Sequence, residues 1–381
     1  MKYLGFLLHC YQPPWQDKYT LSRMCRRCYR PLFEWILESE VLMTLNINFS
    51  LIELLHTHNH KELLKLIKML ANSSHVELTG SGAYHPILPL VPPSECKRQI
   101  HLNEDGFKQI LRIDLPKKGF FPPEMSCDEK TAAMVKNAGY SWLIMDDQSF
   151  VQRYGYAPFN FVPSTNGLPV ILQSNHWSNS LAFKKISTAL GFYNELQNGL
   201  NRWFGDSDGY LIMALDGETF GGHENTAGYL NFLKRLCELI NKNGIRLMTV
   251  SQIVALFPKK EMAIPSGSWS TSKEDAARGV YYPLWQHPEN KLHQALWELI
   301  GILLPYVDEE DITTCSFMDK ALNSCQFWWL TPDHWNPANA FRTIPIYQDI
   351  IRYLKLPDSE HEKIKKIFQT LESATGLKIP T

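Results

Sequence analysis

An excess of charge of either sign is missing from this sequence. Its 381 residues include 38 Lys and Arg against 39 Asp and Glu, which gives a formal net charge of −1. Proteins that bind nucleic acids or anionic membranes generally present a strongly basic surface. We therefore predict that neither nucleic acid nor a membrane is a partner. Composition leaves the oligomeric state open.

Long apolar runs are also missing. The N-terminal run at residues 3–8 stops at His9 and is too short for the core of a signal peptide, and no segment approaches the length of a membrane span. The eight cysteines are scattered, and Cys25 with Cys28 forms an isolated C-x-x-C that has no second pair or neighbouring histidine to complete a metal site. We expect a cytoplasmic protein without disulfides.

Three common catalytic signatures do not occur: a phosphate-binding loop, a G-x-S-x-G nucleophile elbow and a dinucleotide fingerprint. Their absence removes the usual nucleotide-dependent and serine-hydrolase classes, and we expect no cofactor. The remaining composition, with 44% hydrophobic and 20% charged residues, is typical of a globular protein. A chain of this length suits one large domain with a smaller one.

Short apolar runs alternate with amphipathic stretches over the first two thirds of the chain. Predicted strands lie at 3–8, 41–47, 76–79, 119–121, 142–145, 170–172, 210–215 and 246–250, with helices such as 61–70, 129–138 and 226–243 between several of them. Alternating strands and helices predict a parallel sheet. Seven or eight such units in about 250 residues predict an α/β fold, a closed or distorted β/α barrel, with a doubly wound open sheet as the alternative.

The pattern changes near Pro258. From Trp285 onward the sequence is mostly helical, with apolar positions at helical spacing over 290–304, 338–354 and 359–371. We therefore predict a catalytic domain at 1–258 and a helical domain at 259–381. The apolar faces of these helices are too large to leave in water, so the helical domain should pack on the barrel and help to form its cleft.

One candidate catalytic acid, Glu124, follows a short apolar strand that ends in Pro122 and Pro123. Ser126 and Glu129 match a capping box, which predicts that a helix starts at this point. Glu124 then lies at the C-terminal mouth of a strand, where β/α barrels carry their catalytic residues. The alternative is a loop acid that is only favoured by the nearby helix N-terminus.

A second candidate, Asp216, ends the apolar run 210–215 and begins the string Asp-Gly-Glu-Thr-Phe-Gly-Gly-His. This string adds Glu218 and His223 to the same strand end. Its glycines, at 217, 221 and 222, permit close approach of the backbone to a ligand. A polar turn with solvated acids is the alternative, but three acids, Asp216, Glu218 and Glu224, and a histidine around one rim favour a functional site.

Other predicted strands also lead into polar or aromatic residues, which are His9, Gln12 and Trp15 after the first, Tyr84 and His85 after the third, and Asp146 and Asp147 after the fifth.

Two carboxylates at different strand ends suit cleavage of a glycosidic bond, which needs one ionised and one protonated carboxyl group. A metal-dependent hydrolase would use the same residue types, because His and Asp at strand ends also bind zinc.

At these residues the sequence resembles glycoside hydrolase family 57, the family of thermophilic α-amylases and 4-α-glucanotransferases. The resemblance rests on residues 9–13, 82–90, 119–124, 215–221 with His223, 267–269 and 282–285. It implies a distorted seven-stranded β/α barrel followed by a helical C-terminal domain. It also implies that Glu124 is the nucleophile and Asp216 the general acid/base, with retention of anomeric configuration and no catalytic metal.

The resemblance and the rim positions together predict a set of substrate-binding residues: His9, Gln12, Trp15, His85, Trp177, Glu218, His223 and Trp269. Aromatic side chains at Trp15, Tyr84, Trp177 and Trp269 would suit stacking on successive sugar rings. The alternative is that most of them are core, and we expect at least one to be. Two positions depart from the family pattern, since Tyr11 stands where the first motif usually has a second His, and 173–176 lacks an Arg that relatives often carry. Both departures bear on the choice of substrate.

The predicted function is a retaining glycoside hydrolase or transglycosylase acting on α-linked glucans by double displacement. Its partner would be an oligo- or polysaccharide. Three alternatives remain: an α-galactosidase of the same family, a metal-dependent enzyme of the polysaccharide deacetylase type, and a non-catalytic carbohydrate-binding protein on an enzyme scaffold.

Overall fold

The computed structural model describes residues 1–222 and 228–379. Within these ranges the strands are β1 (Lys2–Cys10), β2 (Met43–Ile47), β3 (Val76–Gly80), β4 (Gly119–Phe120), β5 (Trp142–Asp146), β6 (Val162–Thr165), β7 (Leu168–Gln173), β8 (Gly209–Asp216), β9 (Ile245–Leu247) and β10 (Lys259–Glu261). The helices of the barrel region are α1 (Lys18–Met24), α2 (Arg30–Ser39), α3 (Phe49–Thr57), α4 (Lys61–Ala71), α5 (Pro93–Gly106), α6 (Glu129–Asn137), α7 (Asp147–Tyr154), α8 (Asn175–Ala182), α9 (Ala189–Phe204), α10 (Tyr229–Lys242) and α11 (Val250–Leu256). Those that follow are α12 (Lys273–Ala277), α13 (Lys291–Leu303), α14 (Ile312–Ala321), α15 (Cys325–Trp328), α16 (Pro337–Ala340), α17 (Ile344–Tyr353) and α18 (Asp358–Thr375).

Seven parallel strands form the centre of the molecule in the order β7-β5-β4-β3-β2-β1-β8. The sheet does not close through a β-ladder in the described ranges. The outermost strands are instead linked by one hydrogen bond from the Ser174 backbone N–H to the Ile212 carbonyl at 2.9 Å. The predicted α/β class, with a distorted seven-stranded β/α arrangement and a helical C-terminal region, is confirmed.

Strand β1 is buried along almost its whole length because buried side chains pack on both of its faces. It runs beside β8 from Lys2 opposite Gly209 to His9 opposite Asp216, and beside β2 at its C-terminal end. Its apolar sequence matches this position, since a strand covered on both faces needs no polar alternation. The pairing also places the C-terminal ends of β1 and β8 at one rim.

Two strands were not predicted from the sequence. Strand β6 contains Pro163 and pairs antiparallel with β7, and the charged strand β10 pairs with β6. Proline is a poor strand former and is confined to sheet edges or bulges, and three exposed charged residues carry no apolar pattern. Neither segment therefore has the signal by which buried strands are found.

Two local predictions were wrong. The strand predicted at 246–250 ends at Leu247, because Thr249 and Gln252 form a capping box that starts α11. The capping box predicted at Ser126 does not form. The Ser126 hydroxyl donates to the Pro123 carbonyl, and Asp128 caps α6 by accepting the Thr131 N–H at 2.7 Å.

The helical region and the barrel share one hydrophobic core. A single cluster of buried side chains joins Leu7 and Trp142 of the sheet to Trp285, Leu299 and Tyr347 of the C-terminal third. A second cluster lies on the other side of β1, under α1–α4, α9 and α10. The helical region therefore covers part of the barrel, and its division from the barrel at residue 258 stays a prediction, with β10 extending the sheet to Glu261.

A bidentate ion pair reinforces this contact, because Arg98 of α5 donates to both carboxylate oxygens of Asp319 in α14, at 2.8 and 2.7 Å. In the part of the chain described here, none of the helices combines the length and apolar character needed to cross a membrane.

Candidate active site

Glu124 follows β4 and is held by hydrogen bonds to both of its carboxylate oxygens. The Trp269 indole N–H donates to Oε2 at 2.7 Å, and the Ser324 hydroxyl lies 3.0 Å from Oε1. The residue adopts a left-handed backbone conformation with φ 58°, which is uncommon for residues other than glycine and costs free energy. Burial raises the pKa of Glu124 to about 7, although these hydrogen bonds oppose the shift.

Three rings stack beside this carboxylate. The rings of Tyr11 and His9 lie nearly parallel to that of His85, with centroids 4.2 and 4.8 Å from it and 6.0 Å from each other, and His85 Nδ1 is 3.5 Å from Glu124 Oε1. Burial lowers the pKa of His85 well below its usual value, and the neighbouring His9 adds to the effect. A neutral His85 beside Glu124 therefore forms a polar contact and not an ion pair.

His9 is fixed within the stack from its other side. Phe121 packs on it at 4.6 Å, and its Nδ1 lies 2.7 Å from the side-chain oxygen of Asn46. The Asn46 amide nitrogen donates to Thr79, so its oxygen accepts and His9 Nδ1 carries the proton. Burial lowers the pKa of His9, whereas Asp216 raises it. Asp216 is the residue opposite His9 in the pairing of β8 with β1, so it lies beside the stacked rings.

Asp216 is exposed at the end of β8, whereas Glu218, two residues on, is buried. The charge of Asp216 raises the pKa of Glu124 and of Glu218, although burial is the larger cause in both. Asp216 is therefore an exposed carboxylate within electrostatic reach of Glu124. The two predicted catalytic carboxylates lie at one rim, as expected for strand ends of a parallel sheet.

Glu218 belongs to a buried network of its own. It accepts hydrogen bonds from the Tyr29 hydroxyl and, at 3.1 Å, from the Tyr11 backbone N–H. Gln12 donates to the same Tyr29 hydroxyl at 2.8 Å. Burial raises the pKa of Glu218 to about 8. Gln12 and Glu218 thus belong to a buried hydrogen-bond network next to Asp216. The substrate contact predicted for them stays a prediction.

The glycines of this loop serve packing within the chain. A Cβ at Gly221, whose φ is +133°, would lie 2.3 Å from the Arg27 carbonyl oxygen, and one at Gly217 would lie 2.7 Å from Cys10 Sγ. The close approach is therefore made by the protein itself, at Gly221 by the π-helical turn Cys25–Tyr29 and at Gly217 by Cys10 of β1. His223 lies outside the described residues.

The predicted aromatic residues divide into two groups. Trp15 and Trp269 are half-buried, and the Arg342 guanidinium lies 5.3 Å from the Trp15 ring. Trp177 and Tyr84 are each only 4% exposed. Trp177 packs on Phe192 and against Gly199, so it lies in the core, as expected for at least one of these rings, and the substrate contact predicted for it stays a prediction.

Asp146 and Asp147 form part of the frame of the rim. Asp146 caps α7 and accepts hydrogen bonds from Gln173 at 2.6 Å and from Asn175 at 2.9 Å. Burial is the main cause that raises the pKa of Asp146, to about 7. Gln173 and Asn175 lie in the segment where relatives often carry an Arg, and here they bind an internal carboxylate.

Sequence reasoning missed several contributors to the site. Ser324 touches Glu124 from 200 residues away, Tyr29 binds Glu218, and Cys325 Sγ lies 3.8 Å from the Tyr11 hydroxyl. Ser324 and Cys325 are in a helical stretch with no motif, so nothing in the local sequence marks them. In residues 1–222 and 228–379, no group of three or more His, Cys, Asp or Glu is arranged to hold a metal ion.

Comparison with known proteins places this site in a family. The model of glycosyl hydrolase family 57 matches residues 9–266. An α-amylase of Pyrococcus horikoshii is 23% identical over 280 residues, which cover 71% of this chain and 43% of the relative. A 4-α-glucanotransferase of Thermococcus litoralis is 23% identical over 281 residues, covering 71% of this chain and 41% of that enzyme. The chain thus spans about two fifths of the length of these curated relatives.

Solved structures agree with the fold. That of the Thermococcus litoralis 4-α-glucanotransferase superposes with a TM-score of 0.74 at 18% identity, covering 93% of this chain and 60% of that one. A branching enzyme of Thermococcus kodakaraensis gives a TM-score of 0.70 at 13% identity over 96% of this chain and 94% of the other. At such low identity these likenesses concern the fold. Because the family model matches more than half of the chain and includes both Glu124 and Asp216, this protein belongs to glycosyl hydrolase family 57.

Proposed function

We propose that this protein is a retaining glycoside hydrolase or transglycosylase that acts on α-linked glucans. The observation that carries the proposal is the setting of Glu124, a carboxylate with a donor on each oxygen, at the rim that Asp216 also faces. Two carboxyl groups at one rim, one half-buried and one exposed, suit a reaction that needs a nucleophile and a proton donor.

In the first step, Asp216 gives its proton to the glycosidic oxygen while Glu124 attacks the anomeric carbon. The bond to the leaving sugar breaks, and a covalent glycosyl-enzyme forms on Glu124 with inverted configuration. The hydrogen bonds from Trp269 and Ser324 favour the ionised form of Glu124 and orient it. Since Glu124 must be ionised, kcat/KM should rise as the pH increases through about 7.

In the second step, the oxygen of the acceptor attacks the anomeric carbon, and Asp216 takes the proton from that oxygen. The bond to Glu124 breaks, Asp216 is again protonated, and the second inversion restores the original configuration. Water as the acceptor gives hydrolysis, and a sugar hydroxyl gives transfer. The same residues serve both outcomes, so the balance between them depends on which acceptor reaches the glycosyl-enzyme.

The proposed substrate is an α-1,4-glucan, with an α-galactoside as the second choice. Support comes from the names of the relatives, an α-amylase and a 4-α-glucanotransferase. Trp269, which contacts Glu124, and Trp15 are both half-buried and keep part of their surface accessible, and aromatic faces suit the apolar C–H side of a sugar ring. Tyr11, at the position of a family histidine, adds a further ring beside Glu124.

The test is activity on maltooligosaccharides, soluble starch and an aryl α-galactoside, measured side by side with product analysis. We expect cleavage or disproportionation of the maltooligosaccharides with retained configuration, and activity that survives chelation. Activity on the galactoside alone would move the assignment to the second choice. Turnover of none of them by folded protein would contradict an enzymatic role, and activity lost on chelation but restored by zinc would favour a metal-dependent hydrolase.

A further inference from the structure

Ser324 reaches Glu124 from the helical region, on the residue before α15. Its side chain is fully buried, and its backbone N–H donates to the His85 carbonyl at 3.1 Å. The adjacent Cys325 Sγ lies 3.8 Å from the Tyr11 hydroxyl. The start of α15 is therefore fixed against two of the three stacked rings, which leaves the Ser324 hydroxyl little freedom.

That hydroxyl lies between two partners, 3.0 Å from Glu124 Oε1 and 2.9 Å from His85 Nδ1. A hydroxyl has one hydrogen to donate, and an ionised carboxylate can only accept. When Glu124 is ionised, Ser324 must therefore donate to Glu124 and accept from His85. The hydrogen bonds run in one direction, from His85 Nδ1–H to the Ser324 oxygen, and from the Ser324 hydroxyl to Glu124.

The other nitrogen of His85 supports this tautomer. Nε2 is buried and has no hydrogen-bond partner among the described residues. A proton on Nε2 would leave a buried N–H donor unpaired, both in the opposite neutral tautomer and in the charged ring. His85 is thus neutral with its proton on Nδ1, and the rings of Tyr11 and His9 hold its plane.

We infer that Ser324 is a positioning residue for the nucleophile, whose hydroxyl links neutral His85 to Glu124 and holds the carboxylate in its attacking orientation. The inference rests on the proposed function, in which Glu124 is the nucleophile. Ser324 and Trp269 each bind a different oxygen of Glu124, so the two donors together fix the rotation of the carboxylate plane. Loss of either donor leaves one oxygen buried without its partner.

The helical region therefore acts on the reaction itself, in addition to covering the barrel. Residues with no catalytic motif of their own supply part of the nucleophile's setting. A misplaced nucleophile can cost on the order of 10²-fold in rate, so this contact has a measurable consequence for turnover.

The test compares Ser324→Ala with a matched control, Ser180→Ala. Ser180 is also buried and loses one hydroxyl, but it bonds to the His176 carbonyl in α8 and does not contact Glu124. For Ser324→Ala we expect kcat to fall roughly tenfold to hundredfold with a smaller change in KM. The acidic limb of the kcat/KM profile should move to higher pH, because a donor to the ionised nucleophile is lost. Ser180→Ala should keep the wild-type profile.

Nitrogen-15 NMR of histidine-labelled protein gives a readout that does not depend on activity. We expect the His85 proton on Nδ1 in the wild type and a mixture of tautomers in Ser324→Ala. Wild-type kcat and pH profile in Ser324→Ala, or a His85 proton on Nε2 in the wild type, would overturn the inference. Failure of the wild type to turn over any glycoside would instead contradict the proposed function, and the NMR result would still test the hydrogen-bond chain.

Discussion

The two acidic groups at the rim, Glu124 after β4 and Glu218 after β8, receive their hydrogen bonds from different parts of the chain. At the β4 end, the donors to Glu124 come from Trp269 and Ser324, 145 and 200 residues further along. At the β8 end, the donors to Glu218 come from Tyr29 and Tyr11, within the first thirty residues of the chain. The barrel completes one end itself, whereas the other end depends on the C-terminal third.

This difference separates two roles for a buried carboxyl group. The Glu124 carboxylate is one-fifth exposed, and its donors favour the ionised form that a nucleophile needs. Glu218 is nearly inaccessible and lies behind the Asp216 loop, where its raised pKa of about 8 favours the protonated form at neutral pH. Burial raises both pKa values, but the Glu124 side chain keeps the larger exposed fraction.

Removal of the C-terminal third should have the largest effect, because it takes away the donors to Glu124 and leaves those to Glu218. A fragment of residues 1–258 lacks both donors to Glu124 and keeps every donor to Glu218. It also exposes the core shared with Trp285, Leu299 and Tyr347, an apolar surface too large to leave in water. We expect insoluble or inactive protein, measured by solubility and turnover beside the full chain. A soluble, fully active fragment would show that the barrel completes both ends alone.

Replacement of the proposed nucleophile should have the largest effect of any single substitution. Glu124→Gln keeps the shape of the side chain but cannot form the covalent intermediate, so we expect normal folding and a loss of several orders of magnitude in turnover. Glu129→Gln, at an exposed position in α6, is the matched control. Trapping of the wild type with a fluorinated substrate should place the label on Glu124 by mass spectrometry; a label on another residue would refute the assignment.

Replacement of the proposed acid/base should have an effect that depends on the leaving group. We expect Asp216→Ala to reduce turnover roughly 10²–10⁴-fold on substrates whose leaving group needs protonation, and far less on activated aryl glycosides. Asp206→Ala, exposed in the loop before β8, serves as the control. Equal losses on both substrate classes would argue against this role for Asp216.

The smallest effect concerns stability at the β8 end. The folded-state pKa of Glu218 is about 8, above its ordinary value of 4.5, so the protonated form favours the folded state. That stabilisation is fully present below about pH 4.5 and is lost as the pH rises through about 8. Between pH 5 and pH 9 the wild-type Tm should therefore fall more than that of Glu218→Gln, measured by thermal unfolding.

The exposed substitution Glu195→Gln, in α9, should follow the wild type over the same pH range. Parallel Tm curves for the wild type and Glu218→Gln would show that Glu218 is already ionised in the folded protein. Glu218 and Glu124 would then not differ in protonation state as described above.

Much of the fold was predictable because its strands are nearly all apolar. The segments that became β1, β3, β5 and β8 were found within one or two residues of their ends. Strands β6 and β10 were missed because an edge strand with a proline or with three charges lacks that pattern.

The aromatic residues show what the local sequence leaves open within the site. Trp177 and Trp269 were predicted to bind substrate on the same grounds, yet Trp177 fills the core and Trp269 binds Glu124. An indole can fill apolar space or donate a hydrogen bond equally well. Only the packing around each ring determines which of the two it does.

The sequence by itself determined the class of fold, the rim positions of Glu124 and Asp216, and the family, because strand patterns and the Asp-Gly-Glu-Thr-Phe-Gly string are local in the chain. Tertiary structure alone decided which groups donate hydrogen bonds to Glu124. The donors Trp269 and Ser324 come from 145 and 200 residues away, and the burial that raises the pKa of Glu124 to about 7 is a property of the packed molecule. Neither the distant donors nor the burial produces a recognisable pattern in the neighbouring sequence, because both depend on residues that meet only in the folded chain.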